Sequence, residues 1–142
     1  MREILFRGKQ TDKDKWIYGV PAKATEFDES EILIIESVFK CDEYACRGCE
    51  FTSVIPKTIG QYTGLTDKNG TKIFEGDIVA GALWWQENAK NGAVVFRDGS
   101  FGLLWYRGEI EQFNAFTSMC NITYEVIGNI HDTPELLKGG AD

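Results

Sequence analysis

The chain has 142 residues, 15 of them basic and 22 acidic, for a net charge of −7; that balance disfavours a non-specific grip on duplex phosphates unless the cations gather on one face. They do not gather in sequence, since residues 1–58 carry 9 basic and 11 acidic groups and residues 59–142 carry 6 and 11. Four Trp, five Tyr and nine Phe, with Val and Ile common, favour pleated strands over helices, and the length suits one domain, or two small subdomains sharing a core.

The opening MREILFRGK scatters charges through a short apolar run and lacks the apolar core of a signal peptide. No later stretch approaches the roughly 18 apolar residues that cross a bilayer. The expectation is a cytoplasmic protein without membrane association, in which the four cysteines are reduced thiols or metal ligands rather than disulfides.

Arg2 to Arg7 alternates as a strand, and Trp16 to Tyr18 resumes strand character after a charged loop tip, Lys9 to Lys15; the pair predicts a first hairpin whose second arm ends at Gly19 and Pro21. Glu26 to Glu31 is acidic surface. Ile32, Leu33, Ile34 and Ile35, mostly β-branched, predict a buried strand running on towards Phe39. Cys41 to Cys49 is expected as a loop or irregular segment, with Val54 and Ile55 a short extended piece before Pro56. A boundary near Lys57 divides an N-terminal β subdomain, residues 1–58, from residues 59–142.

The second part opens on a hairpin. Gln61 to Leu65 and Thr71 to Phe74 are its arms, and Asp67, Lys68, Asn69 and Gly70 supply the turn chemistry, with a further break at Gly76. Asp77 to Leu83 is expected as a strand leading into Trp84 and Trp85. Asp98 and Gly99 form a two-residue turn that sets Phe96 opposite Phe101 and Val94 opposite Leu103, all on a core face with Trp105, with Val95 and Tyr106 on the other. Ile110 to Thr117 fits a short helix or a strand equally well. Tyr124 to Ile130 forms a last strand, and Thr133, Pro134 and Glu135 cap a short C-terminal helix through Leu137. About five short strands between Gln61 and His131 predict a small SH3-like antiparallel barrel, so the fold class is mainly β with minor α.

Few residues suggest chemistry. His131, the single histidine, has Asp132 beside it but no nucleophile that sequence places against it, and is expected as a surface or capping residue. Gly64 to Lys72 departs from a phosphate loop in its glycine spacing and in its Thr-Lys order. Cys41, Cys46 and Cys49, at C-x4-C-x2-C, are the candidate zinc ligands, with Cys120 or His131 as a fourth, but one cysteine pair without a second is a thin signal. Glu75 and Asp77 flank Gly76 as strand-edge acids. In Trp84–Trp85 and Trp105–Tyr106 one member of each pair must face away from the other, leaving Trp84, Trp85 and Tyr106 as candidate partner-binding residues.

MREILFRGK, QYTGLTDKNGTKIFEGDIV, VVFRDGSFGL and YEVIGNIHDTPELL, in that order, resemble the YopX-like family of phage and prophage proteins. The segment between Ala22 and Ser53, with its three cysteines, departs from that pattern. The resemblance implies a phage-encoded, mainly β accessory protein and brings no catalytic residue and no cofactor. The expected function is a non-enzymatic module binding a host-encoded protein, after self-association; the alternatives are a single-stranded nucleic-acid-binding small barrel and, third, an enzyme with a carboxylate-lined pocket.

Overall fold

The computed structural model describes residues 1–24, 31–41, 46–81, 90–116 and 124–138, with backbone alone over 38–41 and 46–47. It is mainly β, built on two antiparallel sheets, and divides into two compact units, Met1–Tyr62 and Thr63–Asp142.

In the first unit β1 (Phe6–Lys9), β2 (Trp16–Lys23), β3 (Ile32–Cys41) and β4 (Cys46–Val54) lie in the order β4-β3-β2-β1. The start of β5 (Gly60–Thr66) adds to the free side of β1, with Phe6 opposite Gln61. The predicted first hairpin is present, with Lys9 opposite Trp16, but β2 does not stop at Gly19 and Pro21. Pro21 sits within the strand opposite Ile34. Proline is tolerated there because β1 pairs no further than Phe6 with Gly19, so beyond that point one side of β2 needs no N–H.

Nor is Cys41 to Cys49 irregular throughout. Residues 46–49 open the nine-residue β4, held by pairs from Cys41 with Cys46 to Ile32 with Val54. Pairing within the β3–β4 hairpin overrides the turn-like local composition, as structural context commonly does for strands. β3 is also less buried than its apolar run implies. Ile34 is fully buried, whereas Leu33 and Ile35 are half-buried, because alternate residues point to opposite faces and only Ile34's face joins the core of Ile17, Val54, Phe6 and Ile59. A 3-10 turn, Pro56–Thr58, closes the unit. The buried Thr58 hydroxyl donates to Ile55 O at 2.6 Å and accepts the Lys9 N–H at 2.8 Å.

In the second unit β5 ends and turns into β6 (Lys72–Phe74), as the sequence predicts; Gly70 N donates to Asp67 O at 3.0 Å and Gly70 takes φ +81°. The five-stranded sheet runs β10 (Ile110–Ala115), β9 (Ser100–Arg107), β8 (Gly92–Arg97), β7 (Asp77–Ala80), β11 (Glu125–Asn129). The β8–β9 register is as expected, Phe96 with Phe101 and Val94 with Leu103, around Asp98 and Gly99 at φ 51° and 80°, the both-positive signature of a type I′ turn.

Val94, Leu103 and Trp105 are buried with Ile73, Val79 and Tyr124. Phe96 is a correction. It is 54% exposed, because the hairpin tip extends past the core, and its ring meets Phe101 edge-on at 5.0 Å. Ile110 to Ala115 is a strand, and Trp105 Nε1 donates to Asn114 Oδ1 across that pair at 2.7 Å. The SH3-like barrel is not formed among the described residues: β10 and β11 are opposite edges of an open sheet. The C-terminal helix is one 3-10 turn, Pro134–Leu137, and Thr133 does not cap it. Its hydroxyl donates to Asn129 O and accepts the Asn129 N–H, both at 3.2 Å, so the cap is diverted into a backward loop closure.

Candidate functional site

Tyr106 is the one expected partner-binding residue that lies within the described residues; Trp84 and Trp85 fall outside them. Trp105 points into the core and Tyr106, its neighbour on the strand, is 38% exposed, as strand alternation requires. Just beyond it Gly108, at φ +63°, takes the first central position of the two-residue turn joining Arg107 to Ile110, the glycine position of a type II′ turn.

Tyr106 and Gly108 form part of the wall of a cavity of about 550 Å³, within the ~300–1,000 Å³ range of small-ligand sites. Lys90, Asn91, Pro134, Leu137 and Lys138 supply the rest of its described lining. Asn91 fixes one wall, since its Nδ2 donates to Leu136 O at 2.8 Å and ties the start of β8 to the C-terminal 3-10 turn. The segment leading into that turn is held by Asn129, whose Oδ1 accepts the N–H groups of His131 and Asp132 at 3.0 and 2.9 Å. The result is an apolar floor of Pro134 and Leu137 beside an aromatic ring, with two lysines and no carboxylate in the described lining. Sequence reasoning missed every member but Tyr106. Asn91, Lys90 and the 3-10 turn meet only through folding, and no local pattern announces them.

The first unit presents a different surface. Val20, Ile35 and Phe51 lie opposite one another across β2, β3 and β4 and so share the face away from Ile34. Val20 and Phe51 are 49% and 58% exposed, and Tyr18, two residues along β2 on the same face, is 47% exposed. Four large apolar side chains on paired strands form a patch that a lone surface hydrophobe does not.

The remaining candidates serve structure or stand apart. Cys41 and Cys46 are opposite in the β3–β4 ladder, and Cys49, opposite Val38, is an exposed free thiol; Cys120 lies outside the described residues. Among the described residues no three His, Cys, Asp or Glu side chains converge as a metal site. His131 is half-buried, with its Nε2 beside Gly76. Glu75 and Asp77 do not act as matched surface acids, because Asp77 is buried and accepts the Phe74 N–H at 2.8 Å. The turn residue Asp67 is buried as well. Its Oδ1 accepts the N–H groups of Asn69 (2.8 Å) and Thr71 (2.9 Å), and its Oδ2 accepts that of Val126 (3.0 Å), 59 residues away in β11. Burial alone would raise this carboxyl, but those three hydrogen bonds and the neighbouring Lys68 ammonium hold it below the usual carboxylate range.

Among known proteins, the family model described as YopX protein matches residues 5–138. The solved structure of protein EF1440 from Enterococcus faecalis is similar, with a TM-score of 0.60 and 25% sequence identity over 96% of this chain and 99% of that one. No curated protein matches the chain.

Proposed function

The chain belongs to the YopX protein family, and from that premise we propose that it is a phage- or prophage-encoded accessory protein, a non-enzymatic module that binds a host protein in the host cytoplasm. The observation that carries this reading is the row Val20, Ile35 and Phe51, half-buried at Ile35 and exposed at its two ends, with the exposed Tyr18 beside it. Exposing such a patch on ordered strands has a standing cost in solubility, and burial against a partner recovers about 25 cal/mol per Å² of apolar surface. Self-association through the same face is part of the proposal. No helix among the described residues is long and apolar enough to cross a membrane.

Phe51→Glu is the direct test. Phe51 is mostly exposed, so the variant keeps its circular dichroism spectrum and loses whatever host protein, or second copy, the unaltered chain retains in a pull-down read by mass spectrometry. Equal retention by both proteins rules this face out.

A second reading, single-stranded nucleic-acid binding, draws on Tyr106 with Lys90 and Lys138 around one cavity, since a ring for stacking beside cations is the usual combination. The net charge of −7 weighs against it. A gel shift with short single strands at low salt decides the matter: this reading expects retardation at tens of micromolar protein, and free migration removes it. The third alternative, an enzyme with a carboxylate-lined pocket, draws nothing from a cavity whose described lining holds lysines.

A further inference from the structure

We propose that the cavity of the second unit binds a small organic anion with an apolar ring, the ring against Tyr106, Pro134 and Leu137 and the acid group held by Lys90 and Lys138. Three features of the lining point to this class. Its volume of about 550 Å³ accommodates a bicyclic ring with room for a head group. Its charge runs against the rest of the molecule: the chain carries −7 overall, yet the described wall contains two lysines and no carboxylate, so an anion finds attraction here that it lacks over most of the surface.

Its polar side-chain capacity is small. One of the two Asn91 amide hydrogens is already committed to Leu136 O, which leaves its second hydrogen, its Oδ1 and the Tyr106 hydroxyl as the uncharged polar side-chain groups of the described wall, few for a ligand body rich in hydrogen-bonding edges such as a nucleobase. An apolar ring has no such requirement and gains from the faces of Tyr106 and Pro134. This site is in the second unit and is independent of the apolar row assigned above to protein binding.

The test is calorimetric titration of the full chain with three probes at low salt: 2-naphthoate, the neutral 2-naphthalenemethanol, and adenosine monophosphate. Naphthoate is expected to bind about ten-fold more tightly than the neutral analogue, the scale of one charge-assisted hydrogen bond, and more tightly than the nucleotide. Lys138→Gln and Lys90→Gln should each weaken naphthoate several-fold and leave the neutral probe unchanged. Tyr106→Ala, at an exposed strand position, and Leu137→Trp, which fills the floor, should both reduce naphthoate binding, with thermal melting to confirm that each variant is folded.

Absence of naphthoate binding up to millimolar concentration overturns the proposal, and so does equal affinity for the neutral probe, which would remove the lysines from the site. Tighter nucleotide binding would replace the ring-acid class with a nucleotide site. Binding that survives both folded cavity variants would place the ligand elsewhere.

Discussion

Asp67→Ala is expected to lower the stability of the second unit by about 2–4 kcal/mol, because one carboxylate satisfies three backbone N–H groups and bonds to a charged acceptor are each worth roughly 1.5–3 kcal/mol net. The losses do not add fully. Asn69 and Thr71 are exposed, so water replaces the acceptor there, whereas Val126 is half-buried and packed on the core. The damage therefore concentrates at Val126, where the turn is tied to β11. A urea midpoint reports the whole effect, and faster hydrogen exchange at the Val126 amide locates it.

Asp67→Asn separates charge from shape. An amide oxygen can still accept from Asn69 and Thr71, but its NH2 then faces the Val126 N–H, donor against donor. Lys68→Ala is the control: Lys68 and Glu125 pair at 3.1 Å with both side chains about half exposed, a surface bridge worth less than about 1 kcal/mol.

The same residue sets a pH dependence. The folded carboxyl lies below its ordinary value of 3.8, so between the two values the unfolded chain binds more protons than the folded one, and stability rises with pH. The contribution is complete above the ordinary value and is lost as pH falls through the lowered one. Midpoints measured down the acid range should show this loss in the unaltered chain and a shallower one in Asp67→Asn. Parallel slopes in the two proteins would mean that Asp67 is not the group responsible.

Features specified by neighbouring residues were legible in the sequence. The Asp67–Gly70 turn, the Asp98–Gly99 turn with its register, and the outward direction of Tyr106 each follow from a few adjacent positions, because turn geometry and strand alternation are local rules. What sequence missed depends on which partner a segment pairs with or closes onto, which composition does not announce. β4 exists because β3 pairs with it, Pro21 is tolerated because β1 stops short, and Thr133 closes onto Asn129 instead of capping a helix.

The candidate sites follow the same division. The row Val20, Ile35 and Phe51 cannot be assembled without the register of three strands, and the cavity draws on three separated segments. Asp67 itself shows both cases: its bonds to Asn69 and Thr71 are what an Asp in that turn predicts, while its bond to Val126 has no local trace.

Gly19→Ala should have the largest effect in the first unit, about 3 kcal/mol, at the upper end of the usual cost of overpacking. A Cβ at Gly19 would fall well inside van der Waals contact with the backbone oxygen of Ile35 and 2.9 Å from Ile34 Cγ2. The first obstacle is main chain, which cannot rotate away as a side chain can, so β2 and β3 must separate. Gly19 stands where β1 ends its pairing and β3 begins its own, at Phe6 with Gly19 and Val20 with Ile35. Separation therefore moves Ile34 out of the core and displaces Val20 from Ile35 on the opposite face.

Gly99→Ala provides the contrast, since it has open space around it at φ +80°, and its cost is the conformational one alone, roughly 1–2 kcal/mol. Chemical denaturation gives both values, and amide exchange along β2 and β3 shows whether the Gly19 loss is local to that ladder. If the row is the docking face, Gly19→Ala also weakens partner retention at temperatures where the chain is still folded, because the row depends on β2 and β3 lying this close. A stability change under about 0.5 kcal/mol, the ordinary range for a neutral surface substitution, would refute the close approach and with it this account of how the row is held.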